Sequence, residues 1–171
     1  MQTKILAINK SIIISLTTFA VLLAVAILAP LLHSQLITGT IVNAVLFLAT
    51  ATLGWTAAIA IGALPSLIAA MAGTLPSPLI PMIPFIITGN AILIATFYLL
   101  KNKNYWLGAI IASVLKFLFL YSASATLFQF LLSQKLAPQM ALMMSWPQLY
   151  TAVLGAIIAY LCLKVLKLSD K

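Results

Sequence analysis

Long apolar runs joined by short polar connectors make up nearly the whole chain. They begin near Ser11, Ile41, Leu79, Tyr105 and Pro138, and none shows the strict alternation of apolar and polar residues that a barrel strand requires. In lipid every backbone polar group needs a partner within the protein, so only helices and closed barrels span a bilayer. A hydrocarbon core about 30 Å thick is crossed by roughly 20 helical residues, a length that these runs reach. The pattern therefore predicts an all-α integral membrane protein.

The run from Ile41 to Gly73 is too long for one ordinary span and contains a candidate break at Gly54-Trp55. The distribution of lysines decides between one helix and two. With the N-terminus in the cytoplasm, two helices place Lys101 and Lys103 on the cytoplasmic side, together with the lysines of both chain ends. A single helix would place them outside, against the rule that short cytoplasmic loops carry the excess of positive charge. We therefore expect a compact bundle of six transmembrane helices with both termini cytoplasmic.

The predicted spans form a single transmembrane domain, residues 1–171. Pro81 and Pro84 lie near the outer end of the fourth span and Pro147 interrupts the sixth, because a proline removes a backbone donor and kinks a helix. The first span also resembles a signal peptide with cleavage after Ala24-Val25-Ala26. Its apolar region exceeds the usual length of about 7–15 residues, so we expect an uncleaved helix. The spans are expected at residues 11–32, 41–53, 56–73, 79–100, 105–131 and 138–166.

Composition supports the membrane assignment. The chain of 171 residues is 64% hydrophobic and only 6% charged, whereas soluble domains contain about 25% charged residues. Nine basic residues, all lysines, and one acid give a net charge of +8. Because the lysines gather at the ends of the spans, they indicate topology rather than nucleic-acid binding.

Several kinds of chemistry lack their usual residues. His33, Cys162 and Asp170 are the one histidine, the one cysteine and the one acid. The chain therefore offers no metal-ligand set, disulfide, iron–sulfur cluster or carboxylate pair, and an enzyme is the least supported class. It also contains no Walker A loop and has no room for a nucleotide-binding domain. We expect no cofactor and no metal in this chain, and any active transport draws its energy from another subunit.

Lys116 is the first candidate functional residue, because it lies in the middle of the apolar run that begins at Tyr105. Eleven residues at about 1.5 Å each place it about 16 Å into the span, near the bilayer midplane. A lysine at this depth costs about 2.5–3.5 kcal/mol on insertion scales. No carboxylate elsewhere in the membrane is present to neutralise it. The ammonium either receives an anionic group of a substrate, or it snorkels or pairs with backbone carbonyls.

A second candidate cluster surrounds Pro147, in the outer half of the sixth span. Trp146 and Tyr150 offer flat faces for an aromatic ligand, and Gln148 offers a donor and an acceptor. The other interpretation is an aromatic belt at the membrane surface with a proline near the loop. Three methionines that precede this cluster offer an adaptable wall, Met140, Met143 and Met144.

Amide side chains provide further candidates. Asn43 and Asn90 lie within apolar spans, where such groups often hydrogen-bond between helices. We expect that structural role for Asn43, whereas Asn90, downstream of two prolines, is the better ligand candidate. Gln35 lies on the polar connector from His33 to Thr40, which is either a solvated loop or a cover over an outward pocket.

Small residues recur at a spacing of four, as Ala20 and Ala24 in the first span and Gly155 and Ala159 in the sixth. This spacing lets helix backbones approach closely. Within a bundle it serves internal packing, and on an outward face it forms a docking surface for another membrane subunit.

With these features the chain resembles the substrate-binding S components of energy-coupling factor (ECF) vitamin transporters. Six short spans, cytoplasmic termini and the lack of an energy module are similar to that family over essentially the whole chain. The Ala20-x-x-x-Ala24 segment is similar to the alanine motif that contacts the family's transmembrane coupling subunit. The segments from Pro81 to Asn90 and from Trp146 to Gln148 fall where such proteins build their pocket from the last three helices.

The resemblance implies a subunit that captures a small molecule at the outer surface of a prokaryotic plasma membrane. It would deliver this molecule by toppling in the membrane when docked on a coupling subunit driven by two ATPases, so that the partners use the ATP. Lys116 then favours an anionic, vitamin-like substrate. The alternative is a non-transport membrane interaction or assembly subunit. The remaining substrate-binding candidates are Asn90, Trp146, Gln148, Tyr150 and Gln35.

Overall fold

The predicted all-α bundle is confirmed. A computed structural model describes residues 2–73, 77–130 and 142–166, and within these ranges it contains six α-helices, two 3-10 helices and no strand. In chain order the α-helices are α1 (Gln2–Leu28), α2 (Gln35–Thr52), α3 (Trp55–Met71), α4 (Ile83–Leu100), α5 (Tyr105–Phe130) and α6 (Trp146–Val165), with 3-10 helices at Ala29–Leu32 and Ser77–Met82. Five of the helices in these ranges are long and apolar enough to cross a membrane, and α3 is a shorter apolar helix.

The first outer connector is shorter than the sequence indicates. The 3-10 helix is followed by His33, with a left-handed φ of 51°, and α2 begins at Gln35. The prediction that Gln35 lies on a loop extending to Thr40 is wrong, because polar side chains in this stretch find partners within the helical structure. The Thr38 hydroxyl, for example, donates to the Ala29 carbonyl at 2.9 Å. The additional residues 35–40 give α2 its 18 residues.

Prolines at the outer end begin helices. Pro84 lies in the first turn of α4 and Pro147 in the first turn of α6, where the missing N–H would have no helical partner in any case. The chain is helical at residues 142–143, leaves the helix at residues 144–145 and begins α6 at Trp146, so a helix break does occur beside Pro147. The predicted end of the fifth span and start of the sixth, at residues 131 and 138, lie outside the described residues, as does Met140.

The helices alternate in direction across the bundle. Helix α2 packs most extensively on α6 and α4 on α5, whereas α1 packs mainly on α2 and α3 at the periphery. The contact between α2 and α6 is parallel, since Gly39 lies against Thr151 and Asn43 against Gly155. Positive charge therefore collects at one end, which is cytoplasmic by the positive-inside rule and is called the inner end below. This end carries Lys10, Lys101, Lys103 and Lys164.

Two buried apolar clusters lie at different depths. The inner core draws residues from all six described helices, and Phe47 and Phe97 meet within it in a T-shaped contact at 4.8 Å. The second cluster, called the outer cap, consists of Met82, Leu120 and Met144. Between the two clusters lies a group of buried polar side chains.

Candidate functional site

A group of the buried polar side chains is organised around Lys116 of α5, which is only 4% exposed. Its Nζ donates hydrogen bonds to Oδ1 of Asn43 on α2 at 2.6 Å and to Oδ1 of Asn90 on α4 at 2.8 Å. Thr151 of α6 is buried beside them. These four residues are called the polar layer.

Each asparagine extends the network to another helix. Asn90 Nδ2 donates to the Gly62 carbonyl on α3 at 2.8 Å, and Asn43 Nδ2 donates to Thr151 Oγ1 at 3.2 Å. The ammonium is thus connected with five helices, α2 to α6. Among the described residues, no buried side-chain nitrogen or oxygen lacks a hydrogen-bond partner. Hydrogen bonds to a charged group contribute about 1.5–3 kcal/mol each, comparable with the cost of inserting the lysine.

Close helix contacts explain why these side chains meet. A Cβ atom added to Gly155 would lie 2.7 Å from the Ala44 nitrogen and 2.7 Å from the Asn43 Cβ. A Cβ atom added to Gly62 would lie 3.3 Å from the Asn90 Cβ. Small residues therefore set the distances between α2 and α6 and between α3 and α4.

Two of the predicted residues, Gln35 and Gln148, meet at the outer end of the bundle. Their Nε2 atoms donate to the same acceptor, the Met143 carbonyl, at 2.7 and 3.0 Å. The Thr151 hydroxyl donates to the Gln148 carbonyl at 3.2 Å and so connects this group with the polar layer. The two glutamines and the Met143 carbonyl are called the glutamine clamp.

Trp146 and Tyr150 lie elsewhere, on the outside of the bundle. They are 57% and 54% exposed, and Trp146 stacks on Tyr150 and on Phe117 of α5. Phe117 directly follows Lys116, and consecutive helical residues point about 100° apart, so the aromatic row and the ammonium face different directions. The structure does not bring these two aromatic residues together with Lys116.

The predicted docking residues, Ala20 and Ala24, are exposed on α1. This helix is also the least buried of the five long apolar helices in the described ranges. A small-residue face therefore points away from the bundle, where another membrane helix can approach it.

Sequence reasoning did not place Asn43 in the site and did not single out Thr151. Asn43 makes the bonds between helices that its amide group indicates, but one of them reaches Lys116 itself. Counting about 1.5 Å per residue from the outer helix ends places Asn43, Asn90 and Thr151 at depths of about 12, 10 and 8 Å. Counted instead from the predicted span starts at residues 41, 79 and 138, the same residues would lie about 3, 16 and 20 Å deep, so the sequence carried no signal that they meet.

The polar layer combines one cationic side chain with neutral hydrogen-bonding groups. One ammonium and two amide groups supply donors, and the described part of the chain contains no acidic residue and no group of three metal-binding side chains. The layer is closed on its outer side by the outer cap. A small groove of about 20 Å³ between α5 and α6, lined by residues such as Trp106, Ser113 and Ala156, does not include Lys116.

Comparison with known proteins identifies the family. A family model described as "ECF transporter, substrate-specific component" matches residues 15–167. No curated protein and no solved structure was found to match the chain. The matched region extends from within α1 to beyond α6, and it includes the polar layer, the outer cap and the glutamine clamp.

Proposed function

We propose, on the premise that this chain belongs to the substrate-specific components of ECF transporters, that it captures a small, anionic, vitamin-like nutrient. The family consists of transport-specificity subunits, and this chain is a multi-pass membrane protein. In the proposed function it takes up its substrate at the outer face of a prokaryotic plasma membrane. It then passes the substrate inwards when docked on a transmembrane coupling subunit and two ATPases, which use the ATP.

The proposal that the substrate is anionic rests on one observation. The buried Lys116 ammonium has only neutral hydrogen-bond partners. Amide oxygens of Asn43 and Asn90 satisfy its hydrogen bonds but bring no negative charge. A bound anion would supply the missing counter-charge in a medium of low dielectric constant, where that attraction is strong. We therefore propose these three residues as the floor of the site.

The position of the layer fits entry from outside. The outer cap and the glutamine clamp separate it from the outer end, whereas the larger inner core separates it from the cytoplasmic end. Gln35 and Gln148 would lie above the substrate, at the entrance. Trp146 and Tyr150, which face outwards, would contact lipid instead.

Ligand-dependent stabilisation tests the proposal. The protein, reconstituted in nanodiscs, is unfolded thermally in the presence of a panel of vitamins and precursors, and any retained molecule is identified by mass spectrometry. A true substrate at a hundredfold excess over its Kd should stabilise the protein by about 2.7 kcal/mol. Lys116→Met should abolish the stabilisation, while the control Lys103→Met, at the exposed inner turn, should retain it. If no member of the panel stabilises the protein, the proposed function is contradicted.

Docking is tested separately through Ala20 and Ala24. We propose that a coupling subunit packs on this face of α1, so leucine at either position should prevent close approach. Ala20→Leu should reduce co-purification with the coupling subunit and ATPases at least tenfold without changing thermal stability. Ala125→Leu, at an exposed alanine of α5, is the matched control. Equal recovery of the complex from both variants would rule out this face as the docking surface.

A further inference from the structure

We infer that the polar layer accepts a single carboxylate, so that the substrate is a monocarboxylate with an apolar body. This inference rests on the proposed function and narrows it, because phosphate esters and neutral molecules are excluded as substrates. It follows from the charge, the hydrogen-bond donors and the apolar surroundings of Lys116.

The charge of the site matches one carboxylate. Lys116 is the one charged side chain buried within the described part of the bundle. A carboxylate carries one negative charge, whereas a phosphate monoester carries about 1.5 to 2 at pH 7. The excess charge of a phosphate would remain unpaired away from water, which is costly. A neutral head group would leave the ammonium without a counter-charge.

The donors also match, because one of the two asparagines can turn. The terminal torsion of an asparagine is broad and roughly two-fold, so rotation exchanges its oxygen and nitrogen. After such a turn, the Oδ1 of Asn43 would face the Thr151 hydroxyl, which can donate to it. The Oδ1 of Asn90 would instead face the Gly62 carbonyl, which has no proton to offer.

The amide of Asn43 can therefore rotate when a ligand binds, whereas the amide of Asn90 keeps its orientation. With Asn43 turned, its Nδ2 and the Lys116 ammonium present two donors to the two oxygens of a carboxylate. Asn90 continues to orient Lys116 through its Oδ1. The Thr151 hydroxyl would then donate to Asn43 instead of to the Gln148 carbonyl, which links occupancy of the site with the glutamine clamp.

The outer cap indicates the remainder of the substrate. Leu120 lies one helical turn beyond Lys116 on the same face of α5. Met82 and Met144 complete a cluster that is apolar and fully buried. Methionine side chains are flexible and adapt to different shapes, so this cap can make room for an apolar body above the carboxylate.

Three probes with one aromatic body and different head groups test the inference. They are phenylpropanoate, phenylpropanamide and phenethyl phosphate, each added to the protein in nanodiscs of neutral lipid while thermal unfolding is followed. Phenylpropanoate alone should raise the unfolding temperature. Lys116→Met should weaken its binding at least tenfold, and the exposed control Lys103→Met should bind it as the wild type does.

A second variant keeps the test decisive if other substitutions unfold the protein. Asn43→Asp places a carboxylate of the protein's own beside the Lys116 ammonium, as a substitute for the bound head group. This variant should fold with a higher unfolding temperature than the wild type and should no longer respond to phenylpropanoate. A response of the variant equal to that of the wild type would overturn the inference.

Two further outcomes would also overturn it. One is equal stabilisation by the amide or the phosphate, and the other is the absence of any response of the wild type to phenylpropanoate. A phosphorylated vitamin that stabilises the protein would uphold the proposed function and remove only the carboxylate assignment, whereas a neutral vitamin would remove the anionic substrate as well. Failure of every vitamin to stabilise the protein would instead remove the proposed function.

Discussion

Lys116 shows how a membrane bundle accommodates a charge without an acid. Its partners are amides on two different helices, and each amide is in turn held by a third helix. The members of this network depend on one another. Removing an asparagine leaves the ammonium with fewer acceptors, and removing the ammonium leaves amide oxygens without a donor.

A double-mutant cycle measures this dependence. Asn90→Leu should lower the free energy of unfolding by about 3 kcal/mol, because a buried ammonium loses an acceptor and the Gly62 carbonyl loses a donor. In a Lys116→Met background the same substitution should cost only about 1 kcal/mol, since the charge is gone. Denaturant unfolding in detergent checks both values, and Asn102→Leu at the exposed inner turn is the control. Additive effects would show that Lys116 and Asn90 are not coupled.

The close helix contact at Gly155 leads to a second prediction about a single residue. Gly155→Ala should cost about 2 kcal/mol or more, because the new methyl group meets backbone and Cβ atoms of α2 at 2.7 Å. Gly89→Ala is the matched comparison, since its Cβ would meet only the Leu120 side chain at 3.1–3.3 Å, which can adjust. Thermal unfolding of the two variants should differ clearly. Similar losses would mean that the α2–α6 contact tolerates separation.

At the scale of helices, the glutamine clamp connects the first turn of α2 with the segment that leads into α6. Both glutamines bind one carbonyl, that of Met143, and the adjacent Met144 is part of the outer cap. The clamp therefore holds the cap over the polar layer. Its contribution to the stability of the whole bundle is small, because each neutral hydrogen bond adds only about 1 kcal/mol.

Loss of the clamp should open the cap without unfolding the bundle. In a Cys162→Ser background, a cysteine placed at Met144, which is 3% exposed, should react slowly with a water-soluble thiol reagent. Adding Gln35→Ala and Gln148→Ala should accelerate that reaction at least tenfold. A cysteine at Leu142, which is 69% exposed, should react at the same rate in both backgrounds. An unchanged rate at position 144 would show that the clamp does not control access.

For the whole molecule, the polar layer and α1 have separate roles. The network links α2 to α6, and α1 contributes no residue to it among the described contacts. Five helices are thus tied together around the proposed site, while the peripheral helix presents its small residues outwards. This division fits a subunit that binds a ligand within and a partner at its edge.

For the whole bundle, the prediction concerns which end of the helices faces the outside of the cell. In a Cys162→Ser background, His33→Cys should react with a membrane-impermeant thiol reagent added to intact cells, because this residue lies at the outer end. Lys103→Cys should react only after the membrane is opened. Both positions are exposed, so a difference reports sidedness rather than burial. Reaction of both from the same side would contradict the alternation of helices.

The sequence by itself determined the class of fold and the six helices found among the described residues, and it predicts the orientation in the membrane. Apolar runs without alternation leave only helices in lipid, and the positions of Lys101 and Lys103 required a break near Gly54. It also singled out Lys116, because a charge at bilayer depth is costly wherever its neighbours lie. Each of these conclusions depends only on the residues of one segment and on whether lipid or water surrounds it.

Only the tertiary structure decided which polar groups meet. Asn43 and Lys116 are separated by 73 residues along the chain, and their contact depends on which helices pack together and on which faces. The same packing turns Trp146 away from the site and places Gln35 in a helix, where the sequence pattern predicts a connector. Depth in the membrane can be counted from sequence, but neighbours around the bundle depend on close helix contacts between distant residues such as Gly155 and Asn43.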